Sequence, residues 1–166
     1  GQLDLPAMID RTQAEIEHGT FVICEASFSY QGCYCAVDIL KRKNDGWAIY
    51  EVKSSTVNEK NMKAVYVADV AYQKYVLEHC GVRITGTYIV SINNDYVYDG
   101  KLDLERLFQI TDVSEFVRNE IGEVEKNLLQ EDTLLESENE PKRELGLYCK
   151  DPYGCPYWEY CAKELP

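Results

Sequence analysis

Three short apolar runs separated by turn signals, then one long helical stretch and a further apolar run, set the frame for this chain. Residues 20–28 read as a buried strand, Gln31-Gly32 as a turn, and residues 34–41 as a second strand. Lys43-Asn44-Asp45-Gly46 reads as a hairpin turn of the Asp-Gly kind, and 47–53 as a third strand. The three form an antiparallel meander. A helix is predicted over about 61–80, with Gly81 placed where a helix-ending glycine belongs. Residues 83–92 read as a fourth strand, and Tyr96-Val97-Tyr98 as a short fifth. A helix between strands three and four makes those two parallel or near neighbours. A short helix over 7–17, ending near Gly19, precedes the meander, and another follows over about 112–131. Glu131–Glu140 reads as a solvated helix end or a loop, and 145–166 has no helical period. The fold class is mixed α/β, a twisted sheet flanked by helices.

The chain has 166 residues, the size of one domain, and no internal repeat. Its 45% hydrophobic and 28% charged residues exclude a wholly disordered chain. No apolar run approaches the roughly 20 residues of a membrane span, and no basic-then-apolar stretch at the start suggests a signal peptide, so none is expected. The expected location is the cytoplasm. The opening Gly1–Pro6 reads as a piece of a longer protein, with Gly1 a tag remnant. The formal charge is −12, from 17 basic and 29 acidic residues. Residues 112–144 hold 11 Asp/Glu against 4 Lys/Arg, so −7 of that charge sits there. Such a chain repels a phosphate backbone at long range. That counts against broad nucleic-acid coating, but not against a small site where a metal ion handles phosphate.

The chemistry-bearing residues lie in the strands. Asp38 sits inside the apolar run Cys35–Leu40, and Glu51 and Lys53 end the run Ala48-Ile49-Tyr50. Alternation puts Glu51 and Lys53 on one sheet face, and the hairpin brings Asp38 near Glu51. By spacing alone, this reads more readily as a cross-strand salt bridge than as a site. The apolar setting favours a site, because charges embedded in such strands need a partner or a metal. Two carboxylates suit Mg²⁺ or Mn²⁺, which take oxygen ligands. The lysine would orient or help deprotonate a water, or stabilise a phosphorane-like transition state. Together these are the parts of metal-assisted phosphodiester hydrolysis.

Val37-Asp38-Ile39-Leu40 followed by Ile49-Tyr50-Glu51-Val52-Lys53-Ser54-Ser55 resembles the Asp…Glu-x-Lys signature of the PD-(D/E)XK nuclease superfamily. Asp69–Tyr75 resembles the Gln-containing helix motif of its RecB-like branch, through Gln73. The tail from Tyr148 to Cys161 resembles the cysteine cluster of CRISPR-associated RecB-like exonucleases, and the likeness runs from about Thr12 to Cys161. It implies a restriction-endonuclease-like fold. Asp38, Glu51 and the Val52 carbonyl would be metal ligands, and Glu25 a further acid. Lys53 would be the catalytic lysine, and Gln73 would orient the lysine or the substrate. Asp69 and Gln73, four apart, share a helix face. The family places a Tyr four residues after the Gln; this chain has Leu77, leaving Tyr72 or Tyr75 as substitutes. Of the histidines, His18 reads more readily as exposed than as a ligand, and His79 suits a helix C-terminus.

Of seven cysteines, Cys24, Cys33, Cys35 and Cys80 are dispersed, while Cys149, Cys155 and Cys161 have five residues between neighbours. Thiols in a leaderless chain favour iron–sulfur or zinc over disulfides. The resemblance implies a [4Fe–4S] cluster on Cys149, Cys155 and Cys161, with the fourth ligand outside this chain and zinc as the alternative. The expected organisation is a nuclease-like core over 1–144 and a cysteine-rich tail over 145–166 packed on it.

The expected function is therefore a metal-dependent DNA nuclease, an exonuclease acting on single strands or ends, alongside the remaining domains of a longer protein. DNA repair and CRISPR adaptation are analogies from the family alone. Two other readings stay open: a catalytically silent nuclease-fold module that binds nucleic acid or protein, and an unrelated α/β domain with a zinc knuckle. Lys41, Arg42, Lys43, Lys60, Lys63 and Lys74 read more readily as solvated side chains than as a DNA-holding surface.

Overall fold

The structure, a computed structural model, describes residues 4–57, 62–142, 144–151 and 153–163. The chain divides into two compact units, Gly1–Glu125 and Lys126–Pro166.

The first unit opens with α1 (Leu5–Glu17), capped by the Asp4 carboxylate on the Ala7 amide and carrying Pro6 in its first turn. His18 and Gly19, at φ +78°, end it. Then come β1 (Val22–Tyr30), β2 (Cys33–Lys43), β3 (Gly46–Lys53), α2 (Ala64–His79), β4 (Ile84–Ile92), the one-turn α3 (Leu104–Leu107) and β5 (Phe108–Asp112). The strands form one five-stranded sheet in the order β1-β2-β3-β4-β5. All neighbours are antiparallel except β3 and β4, which run parallel on either side of α2, as the helical crossover requires. This mixed sheet flanked by helices is consistent with a restriction-endonuclease-like fold.

Hydrophobic burial places α2. Val67, Val70, Ala71, Val76 and Leu77 are buried, as are Val37, Leu40, Ile49 and Ile89 of the strands. Gly81, at φ +81°, follows the helix where expected. The predicted start of this helix, residue 61, lies outside the described residues, as do Lys60 and Pro152.

Three expectations need correction. The β2–β3 hairpin is not of the Asp-Gly kind: Lys43 pairs with Gly46, so Asn44-Asp45 is the two-residue loop, with Asn44 at φ +55°. Asn tolerates this left-handed conformation better than most residues. Gly46 serves close approach instead, since a Cβ there would lie 2.5 Å from the Arg83 carbonyl oxygen. The fifth strand is Phe108–Asp112, not Tyr96–Tyr98. Phe108 and Ile110 pair with Ile92 and Val90, whereas the Tyr96 hydroxyl accepts the Asp103 amide inside a loop. The last long helix, α4 (Ser114–Leu135), starts two residues late, because Asp112 ends β5 and its carboxylate accepts the Ser114 amide.

The second unit holds the distal part of α4, a 3₁₀ turn over Leu147–Cys149 and the one-turn α5 (Trp158–Cys161). Short helical turns thus occur in a tail that has no helical period. Among the described residues, no helix is long and apolar enough to cross a membrane.

Candidate active site

The site forms where β1 and β2 depart from regular alternation. Along β2 the buried positions are Cys35, Val37 and then Leu40, a three-residue step where a strand has a period of two. Register holds on both sides, through Cys24 with Ile39 and Ala26 with Val37. Between these pairs lie Asp38 and Glu25, the latter at φ +55°. The β2–β3 ladder begins at Ile39–Tyr50, so Asp38 stands just beyond its end. Its Oδ2 accepts the Val52 amide at 2.7 Å.

β3 delivers Glu51 and Lys53 to one face, as alternation predicts, and α2 lies over them. Glu51 is only 7% exposed. Lys53 Nζ donates to Glu51 Oε1 at 2.7 Å and to Asp69 Oδ2 at 2.6 Å. Gln73 Nε2 donates to Glu51 Oε2 at 2.8 Å and, at 3.4 Å, to Asp69 Oδ1. Four side chains thus close a circuit. Gln73 Oε1 is left buried with no hydrogen-bond partner, because its amide nitrogen faces both acceptors.

Burial pushes the Glu51 carboxyl above the ordinary range; the bonds from Gln73 and Lys53 offset this only in part, and the charges of Asp69 and Asp38 add to it. Burial pulls the Lys53 ammonium down, but its bonds to Asp69 and Glu51 outweigh that and leave it raised. Lys53 is therefore a fixed cation at neutral pH.

The structure brings Asp38, Glu51, Val52, Lys53 and Gln73 to one end of the sheet. Glu25 stands beside Asp38 in sequence register, but its side chain is exposed and takes no part in the circuit. Asp69 and Tyr66 join the site without having been assigned to it. The Tyr66 ring centroid lies 5.2 Å from Lys53 Nζ and its hydroxyl meets Ser55. The signal was present in the helix period: Tyr66, Asp69 and Gln73 stand at i, i+3 and i+7. Neither substitute for the family tyrosine reaches the site. The Tyr72 hydroxyl bonds the backbone of Tyr34, and Tyr75 packs on His79. Leu77 is a core residue. His18 caps α1 by bonding the Ala14 carbonyl, and His79 does the same to Tyr75 in the last turn of α2. Of the basic residues, Lys74 pairs with Glu78, and Lys41, Arg42 and Lys43 lie over Phe21, Trp47 and Tyr88. Lys63 alone of these reaches the site's mouth, at the Tyr66 hydroxyl.

In the second unit, Cys149 is buried, Cys155 half-buried and Cys161 exposed. All three line a cavity of about 670 Å³ with Tyr148, Tyr157 and Tyr160. Among the described residues, no three His, Cys, Asp or Glu side chains converge closely enough to hold a metal ion by themselves.

No family model matches the chain, and no curated protein sequence matches it. Two solved structures are similar in shape. One is SSO0001, at 14% identity and a TM-score of 0.36, over 82% of this chain and 61% of that one. The other is an alkaline exonuclease, LHK-Exo, from Laribacter hongkongensis, at 16% identity and a TM-score of 0.38, over 80% of this chain and 69% of that one. The chain thus spans less than two thirds of the length of SSO0001.

Proposed function

We propose that this chain is a divalent-metal-dependent DNA nuclease, acting on single strands or ends. The observation that carries the reading is the circuit of buried Glu51 and Gln73 with half-buried Lys53 and Asp69, beside Asp38 at one sheet end. Among the described residues, three carboxylates stand there against one ammonium, and one of them is buried with its carboxyl raised. Such a surplus of negative charge suits a divalent cation. Asp38 and Glu51 would hold it, with the Val52 carbonyl and waters completing the set, as Mg²⁺ prefers few protein ligands. Bound there, the cation would supply Lewis-acid stabilisation and a more acidic water.

The chain's own residues have separate tasks. Asp38, fixed by the Val52 amide, holds the end of β2 against β3. Gln73 fixes the orientation of the Glu51 carboxylate. Lys53 remains protonated, so it serves as a positive charge for a phosphate oxygen and not as a base. Tyr66 and Lys63, at the mouth, would meet a base and a phosphate.

For the tail we propose an iron–sulfur cluster on Cys149, Cys155 and Cys161, with zinc as the alternative. It is supported by three thiols lining one cavity. The thiols would have to close in on the group. Anaerobic purification with iron and sulfide assay tests this, and a colourless protein carrying zinc would contradict the cluster.

The nuclease reading is tested with end-labelled single- and double-stranded DNA and a matched RNA, in Mn²⁺, Mg²⁺ or chelator. Shortening of DNA only with metal supports it. Tight DNA binding without turnover in either metal would favour the silent binding module.

A further inference from the structure

Both carboxylate oxygens of Glu51 are already engaged, Oε1 by Lys53 and Oε2 by Gln73. Glu51 therefore gives an oxygen to a cation only by loosening one of these bonds. Among the described residues Gln73 has no second strong acceptor, since its bond to Asp69 is 3.4 Å long. Lys53 does have one. Its bond to Asp69 Oδ2, at 2.6 Å, is as short as its bond to Glu51. Asp69 comes from α2, not from β3, and its side chain is 40% exposed where that of Glu51 is 10% exposed. The carboxylate that stays behind is thus the better solvated of the two. An ammonium shared between them can be released by Glu51 without being stranded.

We infer that Asp69 is a positioning residue: it retains Lys53 in the site, and off Glu51, when Glu51 takes up a divalent cation. This rests on the nuclease reading's assignment of Glu51 as a ligand. Without Asp69, Lys53 has Glu51 as its one close carboxylate partner among the described residues and competes with the cation for it. Asp69 then governs both how readily the cation binds and where the lysine stands afterwards.

The test is a Mn²⁺ titration, without nucleic acid, of the wild type, Asp69→Asn, Lys53→Met and the double variant, followed by the electron paramagnetic resonance of free Mn²⁺. With Lys53 present, Asp69→Asn should weaken Mn²⁺ binding about fivefold, the equivalent of one partly exposed ion pair. In the Lys53→Met background the same change should cost less than about twofold. Asp69→Glu, which keeps the carboxylate, should restore most of the affinity. A second readout is the Lys53 ammonium signal in ¹⁵N NMR of the Mg²⁺-loaded protein. It should be slowed in exchange in the wild type and averaged away in Asp69→Asn. Equal weakening in both backgrounds would overturn the inference, because Asp69 would then act through its own charge. So would an unaffected titration. A wild type that binds no Mn²⁺ would instead refute the nuclease reading, and the inference with it.

Discussion

Among the described residues, replacing Lys53 by Met removes the one cation bonded within a group of three carboxylates. Glu51 would then stay buried and charged with, among the described residues, only the Gln73 amide as partner, while Asp69 and Asp38 repel it. Breaking a buried pair by deleting one partner costs about 3–5 kcal/mol. The Asp69 half reaches solvent and counts for less, so the expected loss at pH 7.5 is about 2–3 kcal/mol. With a urea dependence near 2 kcal/mol per molar, the unfolding midpoint should fall by about 1 M. The sign of the pH dependence follows from Glu51. Its folded carboxyl is raised, so the stability tied to it is complete below the unfolded value, about pH 4, and is lost as pH climbs through the folded one. The Lys53→Met defect should therefore shrink at pH 5, as Glu51 takes a proton. Glu51→Gln imitates the protonated acid. It should be at least as stable as the wild type at pH 7.5 and have no advantage at pH 4. The double variant Glu51→Gln/Lys53→Met should recover more than half of the single loss. Urea unfolding followed by circular dichroism reads all of this. A Lys53→Met protein as stable as the wild type at pH 7.5, or a double variant no better than the single, would refute the reasoning.

Other outcomes follow from particular residues. Burial drives the Cys35 thiol up to about 12, with the charges of Cys80, Asp69 and Cys33 adding to it. A thiol reagent at pH 8 should leave Cys35 unmodified in the native protein while the exposed Cys24 reacts; mass spectrometry of the digest checks this. Glu25→Gly should raise the melting temperature slightly, by the relief of about 1 kcal/mol at a left-handed residue, whereas Glu25→Ala should not. Gly46→Ala should destabilise by about 1–3 kcal/mol in the same urea assay, because its Cβ would meet the Arg83 carbonyl oxygen at 2.5 Å.

Much of the fold was legible because it rests on local signals. The meander, the long helix and the fourth strand follow from apolar periodicity and turn residues, and Gly19 and Gly81 mark real helix ends. What escaped depends on tertiary partners. Phe108–Asp112 is a strand because β4 offers it an edge, while Tyr96–Tyr98 has no such partner. The role of Gly46 depends on Arg83, which is far away in sequence. The same division holds for the site. Glu51 and Lys53 share a face by simple alternation, and α2 brings Gln73 to Glu51. The irregular step at Glu25 and Asp38 was hidden, since strand periodicity assumes regular pleating. Asp69 was visible only as a helix-face neighbour of Gln73, and nothing in the sequence tied it to Lys53. Tyr66 precedes Gln73 on α2, whereas the resemblance points to a tyrosine that follows it.

The most direct test of the central claim uses Glu51→Gln, the variant expected to fold as well as the wild type. Release of labelled nucleotides from DNA in Mn²⁺ would be compared for the two proteins, with urea unfolding run on the same preparations. The account predicts cleavage by the wild type and none by an equally stable Glu51→Gln. Cleavage that survives the substitution undiminished would contradict it.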